Sequence, residues 1–186
     1  MGTKSNELTN AVLSCLFAAL ISLGAFVALP FPGTPIPIVL QNLFILIAAS
    51  TLGPFWGLFS VSIYLAFGLI GLPVFSGGTG GLTKFLGPTG GYLVGYLPAA
   101  FIVGFFADRG KTKFFPVLLG SILGMAVVYC FGVAWLKLSL ELDWGRALAS
   151  GLLPFLPGDL AKILLASILA PKIKAGIIAL DVATDV

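Results

Sequence analysis

Long apolar runs recur along this chain, separated by short segments rich in glycine, proline and charge. Several runs approach the roughly 20 residues that a helix needs to cross the hydrocarbon core of a bilayer. Helices are the predicted element, because unpaired backbone groups are costly in lipid and the alternation typical of membrane β-strands is missing. Six spans are predicted, at residues 8–29, 38–51, 55–70, 90–107, 115–136 and 147–170.

The composition agrees with a multi-span membrane protein. Hydrophobic residues make up 59% of the chain, which has only 10 Lys or Arg and 7 Asp or Glu among 186 residues, far from the usual globular mixture. No polar stretch is long enough for a soluble domain, and no short apolar core precedes a polar mature region as in a cleavable signal. We therefore predict an all-α protein of the cell membrane, with six transmembrane helices forming one domain over residues 1–186.

The charged residues predict an orientation. With six crossings, both termini lie on one side together with the turns near residues 52 and 108–113. That side carries more cations, namely Lys4, Arg109, Lys111, Lys113, Lys172 and Lys174, whereas the other carries Lys84, Lys137 and Arg146. Cytoplasmic loops are enriched in Lys and Arg, so both termini are predicted to be cytoplasmic.

Missing residue types narrow the chemistry. The chain has no histidine, which excludes histidine-based zinc sites and Ser-His-Asp triads. It also lacks a P-loop motif, so ATP-driven transport needs a nucleotide site on another subunit. Cys15 and Cys130 are isolated in apolar runs and are predicted to be small core residues. We predict no catalytic residue, metal ligand or cofactor, and we attribute the net charge of +3 to topology rather than to nucleic-acid binding.

Asp159 and Lys162 lie one helical turn apart within the apolar residues 152–170. A charge at the bilayer centre costs roughly 2.5–3.5 kcal/mol on insertion scales, and opposite charges at i and i+3 partly offset that cost. Pro154 and Pro157 predict a break in the sixth segment, with Asp159 in the first turn of the helix that follows. The pair is either a polar ligand site at an outward-facing cavity or a structural ion pair.

Two connecting segments have distinctive compositions. Residues 29–37 contain four prolines and are predicted to be stiff and extended. Residues 71–89 contain six glycines and one cation, Lys84, and are either a lid over a cavity or a flexible connector. Such a segment can offer backbone N–H groups and a hydroxyl to an anionic ligand; the candidates are Gly77, Gly78, Thr79 and Gly80.

Three further features allow two interpretations each. Gln41 either lines a pocket or ties down the proline-rich segment, and Tyr92 and Tyr96 form either an aromatic wall or an interfacial anchor. Small residues repeat every four positions on the first helix, at Ser14, Ala18 and Ser22. Such a ridge lets another helix approach closely, so it is either internal packing or a docking face for a partner membrane protein.

Four sequence stretches carry a resemblance to a known family: IPIVLQ at 36–41, GLPVFSGGTGG at 71–81, GPTGGYLVGY at 87–96 and PGDLAK at 157–162. They resemble, in order, the BioY family, the biotin-specific substrate-binding S components of energy-coupling factor (ECF) transporters. The ridge at Ser14, Ala18 and Ser22 is similar to the docking motif of that family, with serines where alanines are common.

The resemblance implies a six-helix protein that captures biotin from outside. A transmembrane coupling subunit and two cytoplasmic ATPases would complete the transporter. Asp159 would accept from the ureido N–H of biotin and Lys162 would donate to its carbonyl, with Tyr92 beside the apolar part. Lys84 or the Gly77–Gly81 region would hold the carboxylate. The alternatives are an S component for another vitamin, a non-transporting assembly subunit and an intramembrane enzyme.

Overall fold

A computed structural model describes residues 2–30 and 32–184, and the side chain of Lys4 lies outside the described part. The apolar runs form helices joined by short connections. In chain order the elements are α1 (Gly2–Phe26), β1 (Ala28–Leu29), β2 (Ile38–Val39), α2 (Gln41–Leu69), α3 (Leu82–Leu86), α4 (Gly90–Arg109), α5 (Phe114–Ser139), α6 (Trp144–Gly151) and α7 (Leu156–Thr184). β1 and β2 pair antiparallel across the predicted extended segment.

α2 covers the second and third predicted segments and turns sharply at Gly53, which has the non-helical φ and ψ of 86° and −177°. A Cβ atom built on Gly57 would lie 2.5 Å from the Cα of Ala49. In a straight helix, eight residues separate two positions by about 12 Å along the axis. The two arms of α2 therefore fold back against each other, as the Leu52-Gly53-Pro54 turn suggests.

Among the residues that the structure describes, length and hydropathy identify four helices able to cross a membrane: residues Glu7–Phe26 of α1, α2, α4 and α5. α6 and α7 form a bent pair that would make a fifth crossing. The six predicted crossings thus require the two arms of α2 to be counted separately. Those arms are about 18 and 24 Å long at 1.5 Å per residue, each shorter than a ~30 Å hydrocarbon core.

The predicted break in the sixth segment is confirmed. α6 ends at Gly151, α7 begins at Leu156, and their axes differ by 50°. Asp159 lies in the first turn of α7. The predicted end near residue 170 is wrong, because α7 continues through Pro171 to Thr184. Asp143 caps α6 by accepting a hydrogen bond from the backbone N–H of Arg146, which lowers the pKa of that exposed carboxyl.

Contacts at each end of the bundle show which interhelical connections lie at the same end. At one end, Lys174 Nζ lies 2.8 Å from Asp108 Oδ1, and Gly53 packs directly against the Asp108 carboxylate. At the other, the indole N–H of Trp135 donates to the carbonyl of Gly87 at 2.9 Å. The turns near residues 52 and 108 therefore share an end, as predicted.

The inner face of α1 is the small-residue ridge. Ser14 and Ala18 are buried, and the Ser14 hydroxyl donates to the carbonyl of Trp56 at 3.2 Å. Cys15 and Cys130 are exposed free thiols, so the prediction that they are core residues is wrong. The helices that carry these cysteines, α1 and α5, are apolar on all sides, so hydrophobicity alone did not indicate which face of each helix is internal.

Candidate functional site

A cavity lies between the start of α2, the glycine-rich segment and helices α4, α5 and α7. The cavity volume is about 50 Å³. The polar lining residues are Gln41, Asn42, Ser76, Lys84, Thr89, Tyr92, Tyr96, Tyr129, Asp159 and Lys162. Aliphatic and aromatic residues, including Phe75, Leu93, Met125 and Phe155, complete the wall.

Asp159 is the centre of a buried polar cluster. Lys162 Nζ lies 2.7 Å from Asp159 Oδ1, and the two side chains are only 9% and 6% exposed. The Tyr129 hydroxyl donates to Asp159 Oδ2 at 2.5 Å. The Asn42 amide nitrogen lies 3.4 Å from both carboxylate oxygens, longer than a usual hydrogen bond. The carboxylate is thus neutralised by Lys162 and keeps one weakly held side, toward Asn42.

Two tyrosines of α4 make hydrogen bonds that hold the surroundings of Asp159 in place. The Tyr96 hydroxyl donates to Asn42 Oδ1 at 2.9 Å, which turns the amide nitrogen of Asn42 toward Asp159. The Tyr92 hydroxyl donates to the carbonyl of Gly151 at 2.8 Å and so ties α4 to the end of α6. The ring of Tyr92 packs on Gly132, where a Cβ atom would overlap it.

A second set of polar groups lies toward the glycine-rich segment. Gln41 Nε2, Ser76 Oγ and Thr89 Oγ1 are buried and have no hydrogen-bond partner in the described part of the chain. Lys84 lines the cavity beside them. A buried polar group without a partner costs about 1–3 kcal/mol, and all three residues line the cavity.

The glycine-rich segment is anchored by Phe75, which is fully buried. Its ring occupies the space above Gly68, where a Cβ atom would overlap it, and meets Tyr64 edge to face at 5.5 Å. The Phe75 N–H donates to the carbonyl of Thr79 at 2.8 Å. The segment therefore packs on the bundle, and a freely solvated connector does not describe it.

The cavity brings together five of the predicted ligand residues and leaves out four. Its lining contains Asp159, Lys162, Lys84, Tyr92 and Gln41. Among the residues that the structure describes, that lining does not include Gly77, Gly78, Thr79 or Gly80.

The Phe75–Thr79 bridge explains why these four residues are left out. It closes a tight turn in which the Thr79 hydroxyl donates to the Ser76 carbonyl and Gly78 faces Phe26. Ser76 of this turn lines the cavity, as does Phe75 at its start.

Five polar lining residues were absent from the predicted ligand residues: Asn42, Ser76, Thr89, Tyr96 and Tyr129. Asn42 follows Gln41, and Tyr96 follows Tyr92 by one helical turn, so each stood beside a predicted residue. Tyr129 is the single tyrosine of its apolar segment, and a phenolic hydroxyl in a span was the signal available for it.

The predicted docking ridge is not a free surface. Ser14 and Ala18 are buried within the bundle, and the Ser22 hydroxyl donates to the Ala18 carbonyl at 2.8 Å. For Ser14 and Ala18 this burial overturns the prediction that they dock a partner. Ser22 is half-buried, and its docking role stays a prediction. Among the side chains of α1 that the structure describes, from residue 7 onward, the exposed small ones are Cys15 and Ala19, on the neighbouring face.

A family model described as the BioY family matches residues 1–178. This chain belongs to the BioY family. The chain is 38% identical to a probable biotin transporter BioY of Pyrococcus horikoshii over 162 residues, 87% of this chain and 94% of the relative. It is 36% identical to the biotin transporter BioY of Thermotoga maritima over 159 residues, 86% and 92% of the two chains.

A solved structure of similar fold supports the same membership. It is the crystal structure of the S component for biotin from an ECF-type ABC transporter, with a TM-score of 0.87 and 34% sequence identity. The match covers 94% of this chain and 95% of that one. The BioY resemblance stated from the sequence is therefore confirmed over nearly the whole chain.

Proposed function

We propose that this BioY-family chain is the biotin-binding S component of an ECF-type uptake transporter and not an enzyme. The observation that carries the proposal is a cavity with two polar groups and an apolar middle. Asp159 bonds through Asn42 to Tyr96, whereas Thr89 and Lys84 lie before α4 begins. Seven residues of helix separate Thr89 from Tyr96, so the two groups differ in depth by about 10 Å.

The deeper group matches the ureido ring of biotin. That ring has N–H donors and a carbonyl acceptor, which suit a carboxylate beside an ammonium. A ureido N–H replaces the long 3.4 Å contact from Asn42 to Asp159, and Lys162 donates to the carbonyl. The apolar middle, with Tyr92, Met125 and Phe155, suits the thiophane ring and the aliphatic chain.

The shallower group suits the biotin carboxylate. Lys84 supplies a positive charge, and the free hydroxyls of Ser76 and Thr89 supply neutral donors. Gln41 Nε2 adds a fourth donor at the start of α2. A carboxylate accepts several hydrogen bonds, so one anionic group satisfies donors that otherwise remain buried without partners.

Lys84→Met is expected to weaken biotin binding about 10- to 100-fold, because a hydrogen bond to a charged group contributes about 1.5–3 kcal/mol. Binding of biotin methyl ester, which lacks the carboxylate charge, should be weaker than that of biotin and unchanged by the substitution. Isothermal titration of the detergent-purified protein measures the affinity for biotin and for its methyl ester. Thiamine and riboflavin are titrated as well, to test whether binding is specific for biotin.

Lys137→Met is the matched control for Lys84→Met. It removes a cation that stacks on Trp144 instead of lining the cavity, and biotin affinity should not change. If the wild-type protein fails to bind biotin, the proposed function is wrong. If biotin and its ester weaken equally in Lys84→Met, the function stands and the carboxylate assignment is wrong.

We infer six crossings with both termini cytoplasmic, counting the two arms of α2 separately. Six crossings put Arg109, Lys111, Lys113, Lys172 and Lys174 on the cytoplasmic side, as the positive-inside rule requires. The cavity then opens outward beside Lys84.

Biotin binding closes the segment at residues 71–89 over the cavity, and the loaded protein then reorients against its coupling subunit, with ATP hydrolysed by two ATPase subunits.

The exposed face of α1 at Cys15 and Ala19 is our candidate for contact with the coupling subunit, because small exposed residues let a helix approach closely. Ala19→Trp is expected to abolish ATP-dependent biotin uptake in vesicles containing the complete transporter. Biotin binding by the isolated chain should be retained, since Ala19 lies outside the cavity.

Ala66→Trp is the matched control, because Ala66 is an exposed alanine on α2. It should leave uptake intact. Equal loss of uptake in both variants, or normal uptake in Ala19→Trp, would refute the assignment of this face.

A further inference from the structure

A row of aromatic rings runs along the outer surface of the bundle and ends at a cation. The rings of Phe55 and Phe101 lie 5.8 Å apart, and those of Phe101 and Phe105 stack at 6.4 Å. The guanidinium carbon of Arg109 lies 4.2 Å from the centre of the Phe105 ring. Phe55 is 73% exposed and Phe101 is 37% exposed. Residues 101, 105 and 109 share one face of α4, so the row extends about 12 Å along the helix.

Positive charge is concentrated where the row ends. Arg109, Lys111 and Lys113 lie within five residues and are all exposed. The neighbouring carboxylate of Asp108 is bonded to Lys174 at 2.8 Å, so it does not compensate these three cations. This end of the bundle therefore presents a surplus of positive charge beside an apolar surface.

The turn after α4 holds the cations outward at a conformational cost. Lys111 and Thr112 both adopt left-handed backbone conformations, with φ of 53° and 49°, which is unusual for a β-branched residue. Thr112 is buried, and its N–H donates to the carbonyl of Ala107 at 2.6 Å. Because Thr112 points inward, the lysines on either side of it are directed to the exterior.

Arg109 has free hydrogen-bonding capacity. The three ion pairs among the described residues join other side chains. Stacking on Phe105 fixes the plane of the guanidinium and leaves its N–H edge open. A guanidinium in this state binds the oxygens of a phosphate in a bidentate manner.

We propose that Arg109 and the aromatic row form a binding site for an anionic glycerophospholipid of the adjoining leaflet. The phosphate bonds to Arg109, with Lys111 and Lys113 adding attraction for a net negative headgroup. One acyl chain lies along Phe105, Phe101 and Phe55. Along α4 the cation comes next to the apolar surface, just as the headgroup of a lipid comes next to its acyl chains. An inorganic phosphate would contact only the cation.

Native mass spectrometry of the full-length chain, supplied with phosphatidylglycerol and phosphatidylcholine in equal amounts, tests the site. The wild-type protein should retain phosphatidylglycerol preferentially. Arg109→Gln should reduce that preference about five-fold, the effect of one cation near an anionic membrane surface. Phe105→Leu, which keeps an apolar side chain but removes the stacking partner of Arg109, should reduce it independently. Excess inorganic phosphate should not displace the lipid.

Arg146→Gln is the matched control, because Arg146 is an exposed arginine at the opposite end, paired with Asp143. It should leave the lipid preference unchanged, and biotin titration of each variant verifies its fold. Equal retention of the two lipids by the wild-type protein, equal effects of Arg109→Gln and Arg146→Gln, or displacement by inorganic phosphate would overturn the proposal. So would an effect of Arg109→Gln that appears only when the coupling subunit is present, since that outcome identifies a protein contact.

Discussion

A variant that combines Asp159→Asn with Lys162→Met is expected to stay folded and to bind biotin at least about 100-fold more weakly, because truncating hydrogen-bonded buried charges costs about 2–5 kcal/mol of binding. Both substitutions nearly preserve side-chain size, and together they leave neither member of the buried pair as a charge without its partner. Titration calorimetry with biotin measures the affinity, and tryptophan fluorescence during heating measures the stability.

Comparing the single variant Asp159→Asn with the double variant separates the effect on biotin affinity from the effect on stability. It leaves the Lys162 ammonium buried without its partner, which costs about 3–5 kcal/mol of stability, so it should unfold at a lower temperature than the double variant. The matched control is Asp108→Asn with Lys174→Met, which removes the more exposed pair at the other end. That control should change stability by at most about 1 kcal/mol and leave biotin affinity unchanged. Unchanged affinity in the Asp159 and Lys162 variants would reject the ureido assignment.

Gly53→Ala is expected to be strongly destabilising. With φ of 86° and ψ of −177°, Gly53 occupies a region that only glycine adopts readily, and another residue there costs about 1–3 kcal/mol. The new Cβ atom would also lie 2.5 Å from Asp108 Oδ2, which forces that carboxylate away from Lys174. The thermal midpoint in detergent, followed by tryptophan fluorescence, should fall markedly.

Two further variants distinguish backbone strain from side-chain overlap as the cause of the lost stability in Gly53→Ala. Gly176→Ala makes the same chemical change inside α7, where nothing lies within 4 Å of the new atom, and it should be neutral or slightly stabilising. Adding Asp108→Ala to Gly53→Ala removes the overlap but not the backbone strain, so stability should recover in part. A Gly53→Ala protein as stable as Gly176→Ala would show that the turn is not held in this conformation.

The sequence was most informative where a residue restricts the backbone. Pro154 and Pro157 predicted the break before α7, and Leu52-Gly53-Pro54 predicted the turn within α2. It was least informative about which side of an apolar helix faces inward. In lipid both sides of α1 are apolar, so Ser14 and Cys15 could not be assigned to the inner or outer face by hydrophobicity.

The candidate site shows the same contrast. Asp159 and Lys162 were predictable because charge in a span is costly, and Lys84 because it is the cation of its segment. The turn at Gly77–Gly80 was predicted to face a ligand because its N–H groups are available. The direction of that turn depends on the pairing of Phe75 with Thr79, a contact between two particular residues that composition does not encode. Tyr129 reaches Asp159 only through the packing of α5 on α7.

The seating of Phe75 over Gly68 also has a kinetic consequence. Complete withdrawal of the glycine-rich segment would expose a fully buried phenylalanine, at a cost of about 1.5–3 kcal/mol for that side chain alone. The part that follows Phe75 can move at lower cost, since Gly77, Gly78 and Gly81 all adopt positive φ and relax easily. We therefore expect exchange of a bound ligand to proceed by partial opening on the Lys84 side, with the lifetime of the complex set by how firmly Phe75 is held.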